Sequence, residues 1–266
     1  MTKIIGLILV KNEDIHIEWV IRNVIDFCDK IYICDNYSSD GTWEIIARLE
    51  REFSNIETHR VHQAKESHRF IEKYAGTKTW VFAVDGDEIY DSRGLLKLKT
   101  ELLDGVYDAY FKLVGNTLHA DKIDREGKET RGYLAPPAKN VTKLYNFNAV
   151  LKWNNPPYER LHGGEIVFRE GYQEDRRFLF DRKYDWDSAY YRCLHACFVR
   201  RSSEESEKEI YARLIPDERE SRGSFWKALW ERLSGYDPGL EKAGPSNWKM
   251  GKYAVGEKVI KRIDSF

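Results

Sequence analysis

An excess of charge of either sign is missing from this chain. Its 43 Lys and Arg stand against 44 Asp and Glu, a net charge of −1 over 266 residues. So balanced a composition gives no bulk electrostatic case for a nucleic-acid partner. Long apolar runs are missing as well. The longest, Ile4 to Val10, falls far short of the roughly 20 residues a transmembrane helix needs. Lys3 runs straight into strand-like sequence with no small-residue cleavage site, which reads as no secretory signal. With only four cysteines (Cys28, Cys34, Cys193 and Cys197) and no export signal, reduced thiols in a cytoplasmic protein are expected. No internal repeat is visible. What is present is the composition of a folded domain, 42% hydrophobic with 8 Trp and 16 Tyr. The length suits one large domain or one domain with an elaborated tail.

The first hundred residues alternate between two periods. Lys3 to Val10 is an apolar strand-like run, after which Ile17, Val20, Ile21, Val24 and Ile25 recur at helical spacing. Lys30 to Cys34 is a second strand, and Trp43, Ile46, Leu49 and Phe53 mark a second amphipathic helix behind the Asp40-Gly41 turn. Ile56 to Val61 reads as a third strand, Lys65 to Tyr74 as a third helix ending at Gly76, and Trp80 to Val84 as a fourth strand. Such alternation predicts a parallel sheet with helices on both faces, and ligands bind beyond the carboxyl ends of such strands.

Three polar loops fall at those ends: Lys11 to Asp14, Asp35 to Gly41, and Asp85-Gly86-Asp87-Glu88. The last follows a buried-strand pattern with two carboxylates one residue apart. Carboxylates about 5 Å apart repel by roughly 3 kcal/mol at an effective dielectric near 20. A cation turns that repulsion into attraction, and hard aspartate oxygens suit Mg²⁺ or Mn²⁺ held together with substrate phosphates. A solvated acidic loop is the plain alternative, and its convergence with the other two loops argues for function.

Beyond about Asp104 the regularity fades. Short strands are expected at Ala109 to Val114, Lys143 to Phe147, Val150 to Trp153 and Ile166 to Phe168, with a polar loop from Asp121 to Gly132. Together they read as an antiparallel extension carrying acceptor-side loops. Helices are expected over Ser203 to Leu214, capped by Ser202-Ser203-Glu204-Glu205, and over Ser224 to Ser234. The Trp-rich face of the latter is read as packing on the domain or on a second subunit of a homodimer, with peripheral membrane contact less favoured. Cys193, His195 and Cys197 alternate along one strand. Zinc wants four ligands, so buried thiols are the preferred reading. Trp153, Tyr158 and Trp186 are aromatic enough to stack on a sugar, though core packing is their commoner fate.

Read together, Val10-Lys11-Asn12-Glu13, Ile33-Cys34-Asp35-Asn36-Tyr37-Ser38-Ser39-Asp40-Gly41-Thr42 and Val84-Asp85-Gly86-Asp87-Glu88 resemble three loops of a family. It is the GT-A nucleotide-sugar glycosyltransferases, close to the large family 2 grouping. The resemblance implies an α/β, Rossmann-like, mostly parallel central sheet flanked by helices, with a smaller antiparallel extension and a helical carboxyl-terminal tail. The implied division is a catalytic domain over 1–202, with a nucleotide half to about 104 and an acceptor half from 105, then a helical extension over 203–266. It implies UDP or a UDP-sugar as ligand, Mn²⁺ or Mg²⁺ as cofactor and a saccharide or glycoconjugate as acceptor.

By the same resemblance Val10, Asn12, Glu13, Asp35 and, more loosely, Arg69 contact the nucleotide. Asp85 holds the ribose or a metal-bound water and Asp87 coordinates the metal. His195, followed by Arg200 and Arg201 that could face phosphates, is the first candidate to complete the metal site, and His162 is the second. The acceptor's general base is Glu174 or Asp175, with Glu165 as rival; a retaining enzyme would need none. Asp40 is read as turn and helix-cap chemistry.

The chain also departs from the family. It has only two Gln, Gln63 and Gln173, and neither opens a Gln-x-x-Arg-Trp segment. With no transmembrane run, this argues for single-sugar transfer rather than processive synthesis. The alternatives are a catalytically inactive nucleotide binder and a nucleotidyltransferase, the latter disfavoured because Val10 to Asp14 has no glycine.

Overall fold

The computed structural model describes residues 2–136, 138, 140–154, 164–207, 209 and 258–266. Its centre is β1 (Lys3–Val10), buried at every position after Lys3. β1 pairs in parallel with β2 (Lys30–Asp35) on one side and β4 (Thr79–Asp85) on the other, and β3 (Ile56–Arg60) extends β2. The resulting 3-2-1-4 order is Rossmann-like, and it places the ends of β1, β2 and β4 side by side. Beyond β4 the sheet turns mixed. β9 (Lys143–Asn146) runs antiparallel to β4, followed by β6 (Lys112–Val114) and β12 (Arg177–Leu179). This mostly parallel, mixed α/β sheet is the architecture expected from the sequence.

The faces of β1 explain the two-sided core. Ile4, Ile8 and Val10 join α1 (Ile17–Val24), α2 (Thr42–Glu52) and α3 (Ser92–Leu103) in one cluster. Ile5, Leu7 and Leu9 join Tyr32, Val81, Phe111, Tyr145 and Trp153 in the other. The expected third helix is instead two 3₁₀ segments, Ala64–Phe70 and Glu72–Tyr74. Their tighter turns bury Ser67, His68 and Ile71 and lay Phe70 across His59, with ring centres 4.0 Å apart.

A second, five-stranded sheet runs β14-β8-β7-β13-β5. It contains β5 (Glu88–Tyr90), β7 (Asn116–Asp124), β8 (Glu129–Leu134), β13 (Arg192–His195) and β14 (Lys258–Arg262). The stretch Asp121 to Gly132, expected as a polar loop, is mostly the β7–β8 hairpin. Its exposed ends are charged, which hides the strand pattern. The tail expected to be helical contributes strand β14 against β8. α3 was not foreseen, although Asp91 caps it through a hydrogen bond from Gly94 N, and Leu95, Leu98 and Leu102 are buried. β10 (Val150–Asn154) and β11 (Glu165–Phe168) form a separate antiparallel pair, and α4 (Phe180–Lys183) follows β12. Ser206 and Glu209 exchange capping-box hydrogen bonds, so the helix after β13 is capped at Ser206 rather than at Ser202–Glu205. Its continuation and the expected helix over 224–234 lie outside the described residues. Among the described residues no helix is long and apolar enough to cross a membrane.

α3 approaches the segment leading into β13 closely at Gly94, where an added Cβ would lie 2.0 Å from the Tyr190 carbonyl oxygen. Gly94→Ala is expected to cost about 1–3 kcal/mol through backbone displacement, read as a lower urea midpoint. Leu96→Ala on the exposed side of the same helix should stay within about 0.5 kcal/mol of wild type.

Candidate active site

The loop after β1 is fastened to the loop after β2. Asn12 takes a left-handed φ of 53°, a conformation asparagine tolerates better than most residues. Its amide donates to Ser38 Oγ at 2.9 Å, and Ser39 N donates to its Oδ1 at 2.9 Å. Glu13 N donates to Thr42 Oγ1 and Asn36 N to the Val10 carbonyl, each at 2.9 Å. Gly86 makes the third loop fit: a Cβ there would sit 1.9 Å from Glu13 Oε2. Glu13 and the Asp85–Glu88 turn are therefore in direct contact.

That contact gathers four buried carboxylates, Glu13, Asp85, Asp87 and Glu88. Each cation facing them comes from later in the chain. Lys143 on β9 is buried, with Nζ 3.7 Å from Glu88 Oε1 and 4.0 Å from Asp85 Oδ2. Arg201 Nη1 lies 3.0 Å from Asp87 Oδ2 and 3.3 Å from Glu13 Oε1. His195, ending β13, brings Nε2 to 3.5 Å from Asp87 Oδ2. Ala196 N donates to the Asp87 carbonyl at 2.8 Å, which joins the acidic turn to the end of β13. Arg201 is held in place by its neighbours. Ile15 N donates to the Arg201 carbonyl, Ser202 Oγ to Asp40 Oδ2 and Ser203 N to Asp14 Oδ1. Asp40 also accepts from Thr42 N, so it combines cap-like and clasp roles.

The electrostatics follow from these partners. Burial acts to raise the Asp87 carboxyl, but His195 and Arg201 overcome it and hold its pKa well below the usual 3.8. Burial acts to lower His195, but Cys197 and Asp87 overcome that and hold it well above 6.5. Even with His195 protonated, four carboxylates face three cations among the described residues, Lys143, Arg201 and His195. That deficit, with two aspartates and one imidazole converging, suits a divalent ion such as Mn²⁺ or Mg²⁺.

A cleft of about 1170 Å³ opens onto this cluster, lined by Val10, Asn12, Glu13, Asp85, Asp87, His195 and Arg201 among others. Several expected site residues do not line it. Asp35 is fully buried and accepts from Ser38 N and Ser38 Oγ, holding its own loop, while Asn36 and Ser39 face the cleft. Arg69 lies on the first 3₁₀ segment, exposed, with Glu66 at 3.9 Å and its guanidinium over Phe70. Glu165 is exposed on β11, and Glu174 and Asp175 are exposed in the turn before β12, Glu174 being 3.6 Å from Arg177. These three carboxylates are outside the cleft wall, whereas Asp181 on α4 is part of it. His162 and Tyr158 lie outside the described residues. Trp153 and Trp186 are core residues, packed on Phe147 and Phe266 respectively. All four cysteines are free and buried.

Sequence reasoning missed Lys143, Asp181 and His119. Lys143 and Asp181 sit in short or irregular strand-like text with no motif. His119 pairs with His195 across β7 and β13, a register that single-sequence periodicity does not reveal.

No family model and no curated protein matches the chain. Among solved structures, S. aureus TarS aligns at TM-score 0.44 and 13% identity, over 88% of this chain and 46% of that one. Glucosyl-3-phosphoglycerate synthase from Mycobacterium tuberculosis, in complex with Mn²⁺ and UDP-glucose, aligns at 0.33 and 19%, over 44% of each chain. Mannosyltransferase PcManGT from Pyrobaculum calidifontis, in complex with GDP-Man and Mn²⁺, aligns at 0.33 and 17%, over 45% of this chain and 36% of that one. The chain spans less than half the length of each of these three.

The two opposed pKa shifts define a pH window. Asp87, depressed when folded, stabilises above about pH 4, and that contribution is lost as pH falls through its folded value. His195, raised when folded, stabilises fully below about pH 6.5, and that contribution declines as pH rises towards its folded value. In chelator, Asp87→Asn should therefore cost most near pH 5.5, about 3 kcal/mol for a broken buried pair. Urea unfolding of both proteins across pH 5–9 should show the gap narrowing above pH 6.5.

Proposed function

We propose that the chain moves a single sugar from a nucleotide-sugar, by preference a UDP-sugar, to a hydroxyl of a saccharide or glycoconjugate acceptor. The observation that supports this reading is the shared cleft. Asn12 and Glu13 beyond β1, Asp85 and Asp87 beyond β4, and His195 at the end of β13 all line one cavity of nucleotide-sugar size.

In this reading the rims of the first two loops receive the nucleoside, through Val10, Asn12, Asn36 and Ser39. Asp35 acts indirectly, by setting the shape of the second loop. Asp87, Asp85 and His195 would hold Mn²⁺ or Mg²⁺, which when bound supplies charge stabilisation to the departing diphosphate. Arg201 is the resident counter-ion of Asp87 and Glu13. Its planar fork also matches phosphate oxygens, so the arriving diphosphate offers it an alternative partner.

The acceptor's base is reassigned from Glu174, Asp175 and Glu165 to Asp181. Asp181 is the cleft-lining carboxylate among the described residues between β6 and β13, and Asn140 Nδ2 lies 3.4 Å from its Oδ2. The exposure of the three original candidates also favours a second reading, a nucleotide binder that performs no transfer. A turnover assay following UDP release with and without acceptor separates the two.

UDP with Mn²⁺ is expected to raise the melting temperature, with a gain of about 2.7 kcal/mol at a hundredfold excess over Kd. Asp87→Asn should remove the metal-dependent part, and equal UDP binding in excess chelator would refute the metal bridge. Once a donor and acceptor are found, Asp181→Asn should lower kcat by about 10²–10⁴-fold with UDP affinity retained. An unchanged kcat would remove Asp181 from the mechanism.

A further inference from the structure

His195 has two faces, and the reading above uses only one. Its Nε2 turns to Asp87, at 3.5 Å. Its Nδ1 lies 2.9 Å from Nδ1 of His119, a hydrogen-bond distance. His119 is fully buried on β7, directly across from His195 in the parallel β7–β13 register. Cys197 closes the group, with Sγ 3.7 Å from His119 Nδ1. Each ring nitrogen is a donor when it carries hydrogen and an acceptor when it does not. A contact between two Nδ1 atoms therefore needs one proton, and its direction matters.

If His119 donates, His195 Nδ1 is the acceptor. A neutral His195 must then carry its hydrogen on Nε2, where it faces Asp87 and blocks coordination. If His195 donates, its Nε2 can present a lone pair beside Asp87, which is what a cation there requires. A metal-binding histidine generally donates its other ring N–H to a fixed acceptor. Here the cross-strand partner in reach of Nδ1 is a second imidazole, with a thiol beside it.

We propose that His119 is a positioning residue. It accepts the hydrogen on His195 Nδ1, fixes the imidazole ring between β7 and β13, and so aims Nε2 at the Asp87 cation site. This inference rests on the metal-dependent reading given above, and it extends that reading to a residue that lies behind the cleft wall.

Nitrogen-15 NMR of the histidine-labelled full chain tests the hydrogen-bond direction without metal or turnover, using two-bond proton–nitrogen correlations assigned with His119→Asn. The expected result is a bare Nδ1 on His119 and a protonated Nδ1 on His195. A protonated His119 Nδ1 overturns the proposal whatever the protein's activity.

A second measurement separates positioning from packing. Isothermal titration of Mn²⁺ in the presence of UDP should show His119→Leu weakened 10–100-fold. His119→Asn, whose Oδ1 keeps an acceptor near the Nδ1 position, should recover most of that loss, with UDP-only affinity equal in both. Equal losses in both variants assign His119 to packing and overturn the proposal. So does one tightly held zinc per chain that Cys197→Ser releases, because His119, His195 and Cys197 would then be its ligands. Absence of any Mn²⁺-dependent UDP binding in the unaltered chain removes the functional reading itself, whereas a protonated His119 Nδ1 removes only this inference.

Discussion

The constraint on which this molecule depends is a concentration of like charge. Glu13, Asp85, Asp87 and Glu88 are all buried around one turn. Such a cluster is stable only with compensating cations placed at short range and with its remaining polar atoms hydrogen-bonded. The first half of the chain supplies the carboxylates; the second supplies Lys143, His195 and Arg201. The second half of the chain therefore sets its cations against the acidic turn. It neutralises the end of the parallel sheet, and the sheet could not hold its acidic turn in this form without it.

Arg201 shows how local sequence serves that end. It sits five residues beyond the Arg192–Ala196 segment that docks on Asp87, in a stretch with no regular structure of its own. Three hydrogen bonds to the loops after β1 and β2 fix its backbone and neighbours. The guanidinium thus reaches Asp87 from a clasp formed by Asp14 and Asp40, two aspartates that otherwise resemble ordinary turn residues. A side chain held this way keeps the acidic turn ordered while the cleft is empty of ligand. It also means that any cation approaching Asp87 competes with an ion pair already formed.

The parallel half was legible because its signals are local. Alternating periods, the Asp40-Gly41 turn and a carboxylate pair closing an apolar run identify four strands and the edge where the three polar loops converge, without long-range knowledge. Asp87 and His195, 108 positions apart by their numbers, lie with Oδ2 and Nε2 3.5 Å apart. The failures share a cause. Asp35 has the right identity and place, but its carboxylate is consumed by Ser38, a contact three residues away that competes with ligand binding. Arg69 faces outward because the expected helix winds into 3₁₀ turns. The β7–β8 hairpin was obscured by its charged, exposed end. Lys143 and His119 matter only through strand pairings made across tens of residues, and Asp181 through the placing of the short helix α4 beside the cleft; no periodicity encodes those.

The position of Gly86 has a wider consequence. Asp85 is the last residue of a strand in the seven-stranded sheet, and Glu88 is the first residue of a strand in the five-stranded one. Only Gly86 and Asp87 separate them, so the acidic turn is the seam where two sheets join. The span between its oxygen donors is set by the angle of that join rather than by a free loop. Behind the seam, Phe82 meets Tyr90 edge-to-face with ring centres 4.7 Å apart, and Tyr90 stacks on Tyr191 at 6.1 Å. Replacing one of these rings would change the angle of the join, and with it the spacing of the Asp85 and Glu88 carboxylates, with every carboxylate left in place. The spacing of the acidic turn is in that sense written into the aromatic interior, and it can drift through evolution without a single change among the carboxylates themselves.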